Sequence, residues 1–564
     1  MNIRNISIIL IAFTLVFSQC SKRIGIYSIE NYGAIKNDGN VATKAIQKAI
    51  NECHANGGGT VIVPPGEFIT GSIRLLDNVT LKIEAGAVLK GSSDLNDYLL
   101  DSVKRGMIYA ENVKNVTITG TGIIDGNGTA FMKLNKQHDG GDYDKSFTRQ
   151  GAKYMGTEFG VDDGPVAYDA RPGMMLVILK SENIRIEDVT FRDSPSWTMR
   201  IGDCDHAKVH AINIMNNMLV PNSDGIHCTT SRNVEISDCD IVAGDDAIIV
   251  TGFGDEISEH GKNQVPDADY ATRKVGNKTG FAENITVTNC VLTSRSSGIR
   301  VGYGDNSIRN CVFKNIVIYN SNRGIGVFVR DKGSIENIIF SDFVIETRLH
   351  TGHWWGNGEP IHVSAIAQKD STLIGQIKNI QFNNIIAHSE TGIVVWGEKD
   401  SRLQNICFNN MLLDIKASRL SDSYGGNFDL RPAKSKERQI FKHDIPGVYC
   451  QYVDGLTISD FTLNWSEGLA NYYTHGIECY MVDNLAIDRY KGRQALRDST
   501  NSAAIALDSV RTANITNSMA LQGTNIFLLH RGLINEGFFT GNNLLNAKAG
   551  ILPTQQKFTF SGNK

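Results

Sequence analysis

Short segments with alternating apolar and polar residues recur along most of the chain, and each follows a polar turn residue that is usually Asn. Their apolar positions carry mainly β-branched or aromatic side chains, which is typical of strands with one buried face. The intervals range from the low twenties to above sixty residues, so some repeats contain insertions. This recurrence predicts short strands stacked in a parallel β-helix. The clearest segments begin at Asn115, Asn183, Asn233, Asn284, Asn315, Asn337, Asn379 and Asn405.

The recurring Asn residues are the predicted corners of that β-helix. Asn tolerates left-handed backbone angles, and stacked Asn side chains can hydrogen-bond along the axis. The pattern continues at Gly455 and Asn484. We therefore predict an all-β fold, a single right-handed parallel β-helix over residues 98–564, rather than several globular domains.

Residues 24–97 differ from the repeats and predict an N-terminal cap with the first coils. Residues 41–53 have the period of an amphipathic helix. Such a helix would cover the open end of the solenoid, where backbone groups and apolar surface would otherwise be exposed. The small and apolar residues of its buried face are Ala42, Ala45, Ile46, Ala49 and Ile50.

Two insertions interrupt the repeats, at residues 131–168 and 251–281. The first is polar and rich in Gly, Asp and Lys, and the second directly follows a predicted strand. Long loops of repeat proteins tend to gather on the binding face, so we expect both insertions near the functional site.

Residues 1–20 resemble a bacterial lipoprotein signal peptide. Arg4 supplies a positive charge, residues 6–17 form an apolar run too short to span a bilayer, and Cys20 follows. We expect export, with a lipid on Cys20 as the anchor of an outer-membrane lipoprotein on its periplasmic or surface face. Secretion without lipid is the alternative.

Charge and cysteine spacing narrow the function classes. The net charge of −4 provides no broad basic surface, so we expect no nucleic-acid partner. The nine cysteines after Cys20 are scattered without C-x-x-C spacing, which indicates neither a zinc site nor a dense disulfide framework.

Three carboxylates are the strongest candidates for chemistry. Asp224, Asp245 and Asp246 lie within 23 residues, in apolar strand-like sequence where uncompensated charge is costly. Asp224 and Asp245 are 21 residues apart, about one coil of a β-helix, so we expect them to stack at roughly 5 Å. Gly244 permits the bend that would let Asp245 and Asp246 share a cleft.

Residues 171–250 closely resemble glycoside hydrolase family 28, the polygalacturonases. The resemblance rests on Arg171-Pro172, on residues 193–197 (DSPSW), on residues 221–225 (PNSDG) and on residues 244–246 (GDD). It implies a pectin lyase-like, single-stranded right-handed β-helix. It also implies a monomeric, inverting hydrolase of O-glycosidic bonds that requires no metal or other cofactor.

In that family scheme Asp245 is the general acid, and Asp224 with Asp246 activates water on the opposite side of the sugar. Clustered carboxylates repel one another's charge, which favours a proton on one of them. Asn222 and His227 flank Asp224 and are expected to contact the substrate.

The sequence also departs from the family pattern. Ser297 stands where the family has His, and Gly326 and Phe328 stand where it has Arg and Lys. These departures leave galacturonate recognition open. Arg300 and Arg330 lie nearby and could form an anion subsite, since guanidinium pairs with carboxylate in a fork geometry.

Trp354 and Trp355 lie in a Gly-rich stretch and predict a sugar-stacking wall, because the apolar face of a pyranose packs against an aromatic ring. The alternative is that one Trp packs in the core.

Three function hypotheses follow. The leading one is an inverting hydrolase of pectic or other acidic polysaccharide, with insertions that would suit exo action. The second is a β-helical polysaccharide lyase that uses Arg300 as proton acceptor and calcium. The third is a non-catalytic glycan-binding β-helix.

Overall fold

The computed structural model describes residues 25–564 except 101–102, 139, 141–142, 156–159, 255–256, 259–260, 263–269, 370–372, 498–500, 533–535 and 554–557. The predicted signal peptide, including Cys20, therefore lies outside the described residues, as do parts of both insertions.

The chain folds as a single-stranded right-handed parallel β-helix with an N-terminal capping helix, as predicted. Two parallel sheets run along its axis, with 15 and 25 strands. The 15-stranded sheet consists of Ile73–Arg74, Ile108–Glu111, Leu176–Leu179, Met199–Gly202, Ile226–Thr229, Ile248–Thr251, Ser297–Val301, Arg323–Val329, Ile361–Ala365, Ile393–Trp396, Val448–Gln451, Ile477–Tyr480, Ala503–Asp508, Thr524–Arg531 and Ala547–Leu552.

The 25-stranded sheet forms the rest of each coil and consists of Gly25–Ser28, Gly59–Val63, Gly66–Thr70, Val79–Ile83, Ala87–Gly91, Lys114–Thr119, Ile123–Asp125, Glu182–Glu187, Thr190–Arg192, Asp205–His210, Asn213–Met215, Arg232–Ser237, Asp240–Ala243, Ala282–Ser294, Ile308–Ser321, Ile335–Thr347, Ile377–Ser389, Leu403–Ile415, Val453–Trp465, Asp483–Asp488, Lys491–Gly492, Thr512–Thr516, Met519–Ala520, Glu536–Thr540 and Phe558–Ser561.

Short elements lie outside these two sheets. Four antiparallel pairs are Leu99–Leu100 with Val103–Lys104, Met132–Gln137 with Val166–Tyr168, Ile257–Ser258 with Gly261–Lys262, and Asn427–Asp429 with Ile440–Lys442. The helices are Thr43–Ala55 and Lys436–Gln439, with 3₁₀ turns at Ile29–Tyr32, Leu95–Tyr98, Gly128–Phe131, Lys145–Phe147, Gly151–Lys153 and Tyr270–Thr272. Within the described residues, no helix is both long and apolar enough to cross a membrane.

Asn residues form the corners of the coils, which confirms the prediction from the repeats. Asn337, Asn379 and Asn405 have φ angles of 59°, 57° and 53°, in the left-handed region. Their side chains form a ladder along the axis: Asn405 Nδ2 donates to Asn379 Oδ1 and Asn379 Nδ2 to Asn337 Oδ1, both at 3.0 Å. Each corner amide therefore connects neighbouring coils.

The interior of the solenoid consists of stacked apolar side chains at the predicted alternating positions. Phe313, Phe340, Phe382 and Phe408 stack with ring centroids 4.9, 5.1 and 5.0 Å apart. All nine cysteines of the described residues are free thiols, eight of them buried and Cys407 half-buried.

The capping helix occupies Thr43–Ala55 and buries Ile46, Ala49, Ile50 and Cys53. Its Gln47 side chain continues the hydrogen bonding of the 15-stranded sheet. Arg74 N–H donates to Gln47 Oε1 at 2.7 Å, and Gln47 Nε2 donates to Arg74 O at 3.0 Å. The helix thus satisfies a backbone edge that would otherwise be open.

Candidate active site

The three predicted catalytic carboxylates come together in the turns that precede two neighbouring strands of the 15-stranded sheet. Residues Ile226 and Ile248 pair in register, and Ile248 pairs with Ile299. Asp224, Asp246 and Ser297 each lie two residues before one of these paired positions. The carboxylates that stack are therefore Asp224 and Asp246. The expected pair, Asp224 with Asp245, is wrong because this coil is one residue longer than the sequence analysis assumed. At least one oxygen of each of the three aspartates lies within 4.8 Å of the others.

The turn that presents Asp245 and Asp246 requires glycine at 244. A Cβ atom there would lie 2.4 Å from Ser223 Oγ and 2.5 Å from Val220 O. The Gly244 N–H donates to Ser223 Oγ at 3.1 Å, and that hydroxyl donates to Val220 O at 2.9 Å. Ser223 therefore joins the two acidic turns, a role that its hydroxyl group makes possible.

Asp246 is buried and has two protein partners. Its Oδ1 accepts the Ser297 N–H at 2.7 Å, and its Oδ2 lies 2.9 Å from Arg300 Nε. The Arg300 side chain is itself buried against Tyr303, whose ring centroid is 5.6 Å from the guanidinium carbon. A guanidinium group and a backbone N–H thus hold both oxygens of Asp246 in place.

Asp224 is also buried, and its partner is His227. Asp224 Oδ2 lies 2.8 Å from His227 Nε2, and Trp197 stacks on the imidazole at 3.5 Å between centroids. Burial raises the pKa of Asp224 well above its usual value, and the charge of Asp246 adds to this shift. Burial, reinforced by Arg300, holds the pKa of His227 well below its usual value, so the ring is neutral at pH 7.

Asp245 is the least buried of the three carboxylates. Asn222 Nδ2 lies 3.4 Å from its Oδ2, and the Asp246 N–H donates to its Oδ1 at 2.9 Å. Burial and the charges of Asp224 and Asp246 raise the pKa of Asp245 well above its usual value. The cluster therefore binds a proton more tightly than a free aspartate does, and Asp245 is the member placed to deliver it to a ligand.

Arg171 is a site residue that sequence reasoning left without a role. Its guanidinium donates to the carbonyl oxygens of Pro195 and Pro221, at 2.9 and 2.5 Å, and to Asn222 Oδ1 at 2.9 Å. The only signal for it in the sequence was its place in the family motif. Arg171 thereby fixes the loop that carries Asn222 and adds positive charge near Asp224 and Asp245.

The other predicted substrate contacts have protein partners. Arg300 contacts Asp246, as described above. Arg330 is buried and donates to Ser364 O and Ser364 Oγ at 2.9 Å, and burial lowers its pKa to about 9. Trp354 is buried and its Nε1 donates to Asp163 O at 2.9 Å, whereas Trp355 is half-buried beside Arg431. Their contacts with substrate stay predictions.

A second buried carboxylate–imidazole pair lies further along the axis of the β-helix, where later strands of the same sheet begin. Glu359 Oε1 lies 3.2 Å from His362 Nδ1 and 3.4 Å from Arg323 Nη2. On the next two strands of the sheet, Arg323 and Glu359 occupy the positions equivalent to Ser297, since Ile299, Ile325 and Ile361 pair in register. Sequence reasoning missed this group because its members are separated by up to 39 residues.

Within the described residues, the three aspartates are the one group of metal-ligating side chains that converges. Their oxygens could coordinate a divalent cation. However, the Arg300 guanidinium already neutralises Asp246 and would repel a cation bound beside it. Arg300 is thus a compensating charge already present in this cluster.

The raised pKa values predict that Asp224 and Asp245 cost stability at neutral pH. The folded state binds protons more tightly than the unfolded chain, so stability falls as pH rises above the unfolded Asp value of about 3.9. We expect Asp224→Asn and Asp245→Asn to raise the melting temperature at pH 7, with a gain that shrinks towards pH 4. Thermal unfolding followed by circular dichroism measures this.

Asp246→Asn is the matched control, because it leaves Arg300 buried without its anionic partner. We expect it to lower the free energy of unfolding by about 3–5 kcal/mol. A lower melting temperature for Asp245→Asn at pH 7 would contradict the shared-proton cluster.

Known proteins are similar to this chain in sequence and in fold. The family model of glycosyl hydrolases family 28 matches residues 166–346. An exo-poly-alpha-D-galacturonosidase of Dickeya chrysanthemi is 25% identical over 444 residues, covering 68% of this chain and 71% of that protein. A probable polygalacturonase of Vitis vinifera is 29% identical over 260 residues, which span 43% of this chain and only about half (47%) of the relative.

Among solved structures, a family 28 exopolygalacturonase of Yersinia enterocolitica has a TM-score of 0.56 at 17% identity, covering 83% of this chain and 78% of that one. This likeness concerns the fold. The family match includes Asp224, Asp245 and Asp246. Over residues 166–346, the chain is similar to glycosyl hydrolases family 28.

Proposed function

We propose that this protein is an inverting glycoside hydrolase that cleaves O-glycosidic bonds in galacturonate-containing pectic polysaccharide. The observation that carries the proposal is the triad of carboxylates within 4.8 Å, of which one is accessible and two are buried. The family match and the names of the relatives support the enzyme class and the substrate class.

Asp245 acts as the general acid. It is the half-buried member of the cluster and its pKa is raised, so it can protonate the leaving glycosidic oxygen. When that proton leaves, Arg300 and Arg171 compensate the additional negative charge, since both guanidinium groups lower the proton affinity of the cluster.

Water is the nucleophile that fits this site. The nearest carboxylate oxygens are closer together than the separation of about 6.5–9.5 Å common in inverting enzymes. However, Asp224 and Asp246 are each only 3% exposed and are engaged with His227 and Arg300. A carboxylate held in that way is poorly placed to attack a sugar directly, whereas it can accept a proton from a water molecule at the cluster surface.

The lyase alternative loses its expected proton acceptor, because Arg300 is paired with Asp246. Proteins similar to this chain include an endo-polygalacturonase of Pectobacterium carotovorum as well as the exo-acting enzyme of Dickeya chrysanthemi. The size of the first products from a defined oligogalacturonate therefore decides between endo and exo action.

The acid role of Asp245 predicts the effect of Asp245→Asn. We expect kcat on oligogalacturonates to fall by about 10²–10⁴-fold, because the leaving oxygen is no longer protonated, while the substrate dissociation constant changes little. Product release by mass spectrometry measures the first quantity, and calorimetry measures the second.

Asp240→Asn is the matched control, since Asp240 is a half-buried aspartate five residues earlier on the neighbouring sheet. It should retain full activity. Full activity in Asp245→Asn would contradict the proposal, and unsaturated products from the unaltered protein would favour a lyase.

Export, a lipid anchor at Cys20 and a monomeric state complete the proposal. The sequence of residues 1–20 supports the first two, and the assembly of the carboxylate site within one chain supports the third. We expect Cys20→Ser to abolish palmitate labelling and to release the protein from the membrane fraction. Retention of the label would contradict lipidation at Cys20.

A further inference from the structure

A cavity of about 250 Å³ lies on the 15-stranded sheet, seven strands beyond His227 towards the C-terminus. At about 4.8 Å per strand, it is roughly 34 Å from the aspartate triad. The register pairs Tyr449 with Glu478 and Glu478 with Ala506. On the preceding strands, the residues in register with Tyr449 are Val394, His362, Gly326 and Arg300. The cavity and the triad therefore share one face of the solenoid.

The cavity exists because one small residue lies between larger residues that are in register with it on the neighbouring strands. Ala506 lies between Glu478 and Leu529 in the sheet register. The neighbouring column carries Tyr480 and Asp508 at the cavity wall. The volume corresponds to roughly eight water molecules, which suits one monosaccharide ring rather than a long chain segment.

Three polar groups of the wall are available to a ligand. Within the described part of the chain, the side chains of Glu478 and Arg531 make no hydrogen bond or ion pair. His475 Nδ1 accepts the Ala503 N–H at 3.0 Å, which places the proton of the neutral ring on Nε2. Burial lowers the pKa of His475 to about 4, so this ring is neutral at physiological pH.

The charges around the cavity favour a neutral ligand. Asp508 and Asp444 both act on Glu478, and Arg531 is the basic group that opposes them. Burial and these acidic neighbours raise the pKa of Glu478 to about 7, so its carboxyl can donate as well as accept hydrogen bonds. Sugar hydroxyl groups need such partners, and the Tyr449 and Tyr480 rings provide adjacent apolar surface.

We propose that this cavity binds one neutral monosaccharide unit of a glycan, through Glu478, His475 and Asp508 and separately from the aspartate triad. An anionic uronate is disfavoured there, because the wall carries two acidic groups, Glu478 and Asp508, and only one cationic group, Arg531, since His475 is neutral. The inference goes beyond the proposed hydrolysis and does not depend on it.

The test measures binding by calorimetry in the full chain carrying Asp245→Asn. The probes are linear trisaccharides of galactose and of arabinose, with trigalacturonate as the acidic comparison. We expect at least one neutral trisaccharide to bind and to lose 10-fold or more in affinity when Glu478→Gln and Asp508→Asn are added. Ala506→Leu, which fills the gap, should weaken binding similarly if the double variant does not fold.

Glu467→Gln is the control, because Glu467 is exposed and pairs with Arg497 away from the cavity. It should leave the affinity unchanged. The inference is overturned if no neutral trisaccharide binds, if cavity variants leave binding unchanged, or if trigalacturonate alone responds to them. Hydrolysis by the unaltered chain without neutral-sugar binding would overturn this inference and leave the proposed function intact.

Discussion

Three aspartates with oxygens within 4.8 Å must share their charge, and this constraint organises the site. Water cannot screen them fully, because two of the three are buried. The cluster therefore depends on Arg300 and on the Ser297 N–H, and burial together with the crowded charges raises the pKa of Asp224 and of Asp245. Arg300 and the Ser297 N–H both hold Asp246, whereas Asp245 is the accessible carboxylate, and its raised pKa suits a proton donor.

The β-helix makes such crowding possible because it places equivalent turn positions of successive coils one strand apart. Trp197, Asp224, Asp246, Ser297, Arg323 and Glu359 all lie two residues before positions that pair in register. A substitution at one of these positions therefore changes the side chain that lies beside the equivalent residue of the next coil. Where the family has His, Ser297 supplies a backbone N–H to Asp246, and Arg300 supplies the positive charge.

The repeats and the acidic motif were sufficient to predict the architecture, the Asn corners and the catalytic candidates. Alternating apolar positions define a coil, and left-handed angles select Asn at the corners. The exact coil length was not predictable, so Asp246 rather than Asp245 stacks on Asp224. Contacts between residues far apart in the sequence were also missed, such as that of Arg323 with Glu359. No local sequence pattern shows which coils an insertion separates in the chain but leaves side by side in the fold. The roles of Arg300, Arg330 and the two tryptophans in substrate binding stay predictions.

The stereochemistry of hydrolysis tests the central claim most directly. Proton NMR of an oligogalacturonate digest, recorded before the products mutarotate, reports the anomer that is released first. Attack by water held at the buried carboxylates predicts a first product with inverted configuration. A first product with retained configuration would mean that a carboxylate attacks the sugar itself, and would contradict the assignment of water as the nucleophile at the aspartate triad.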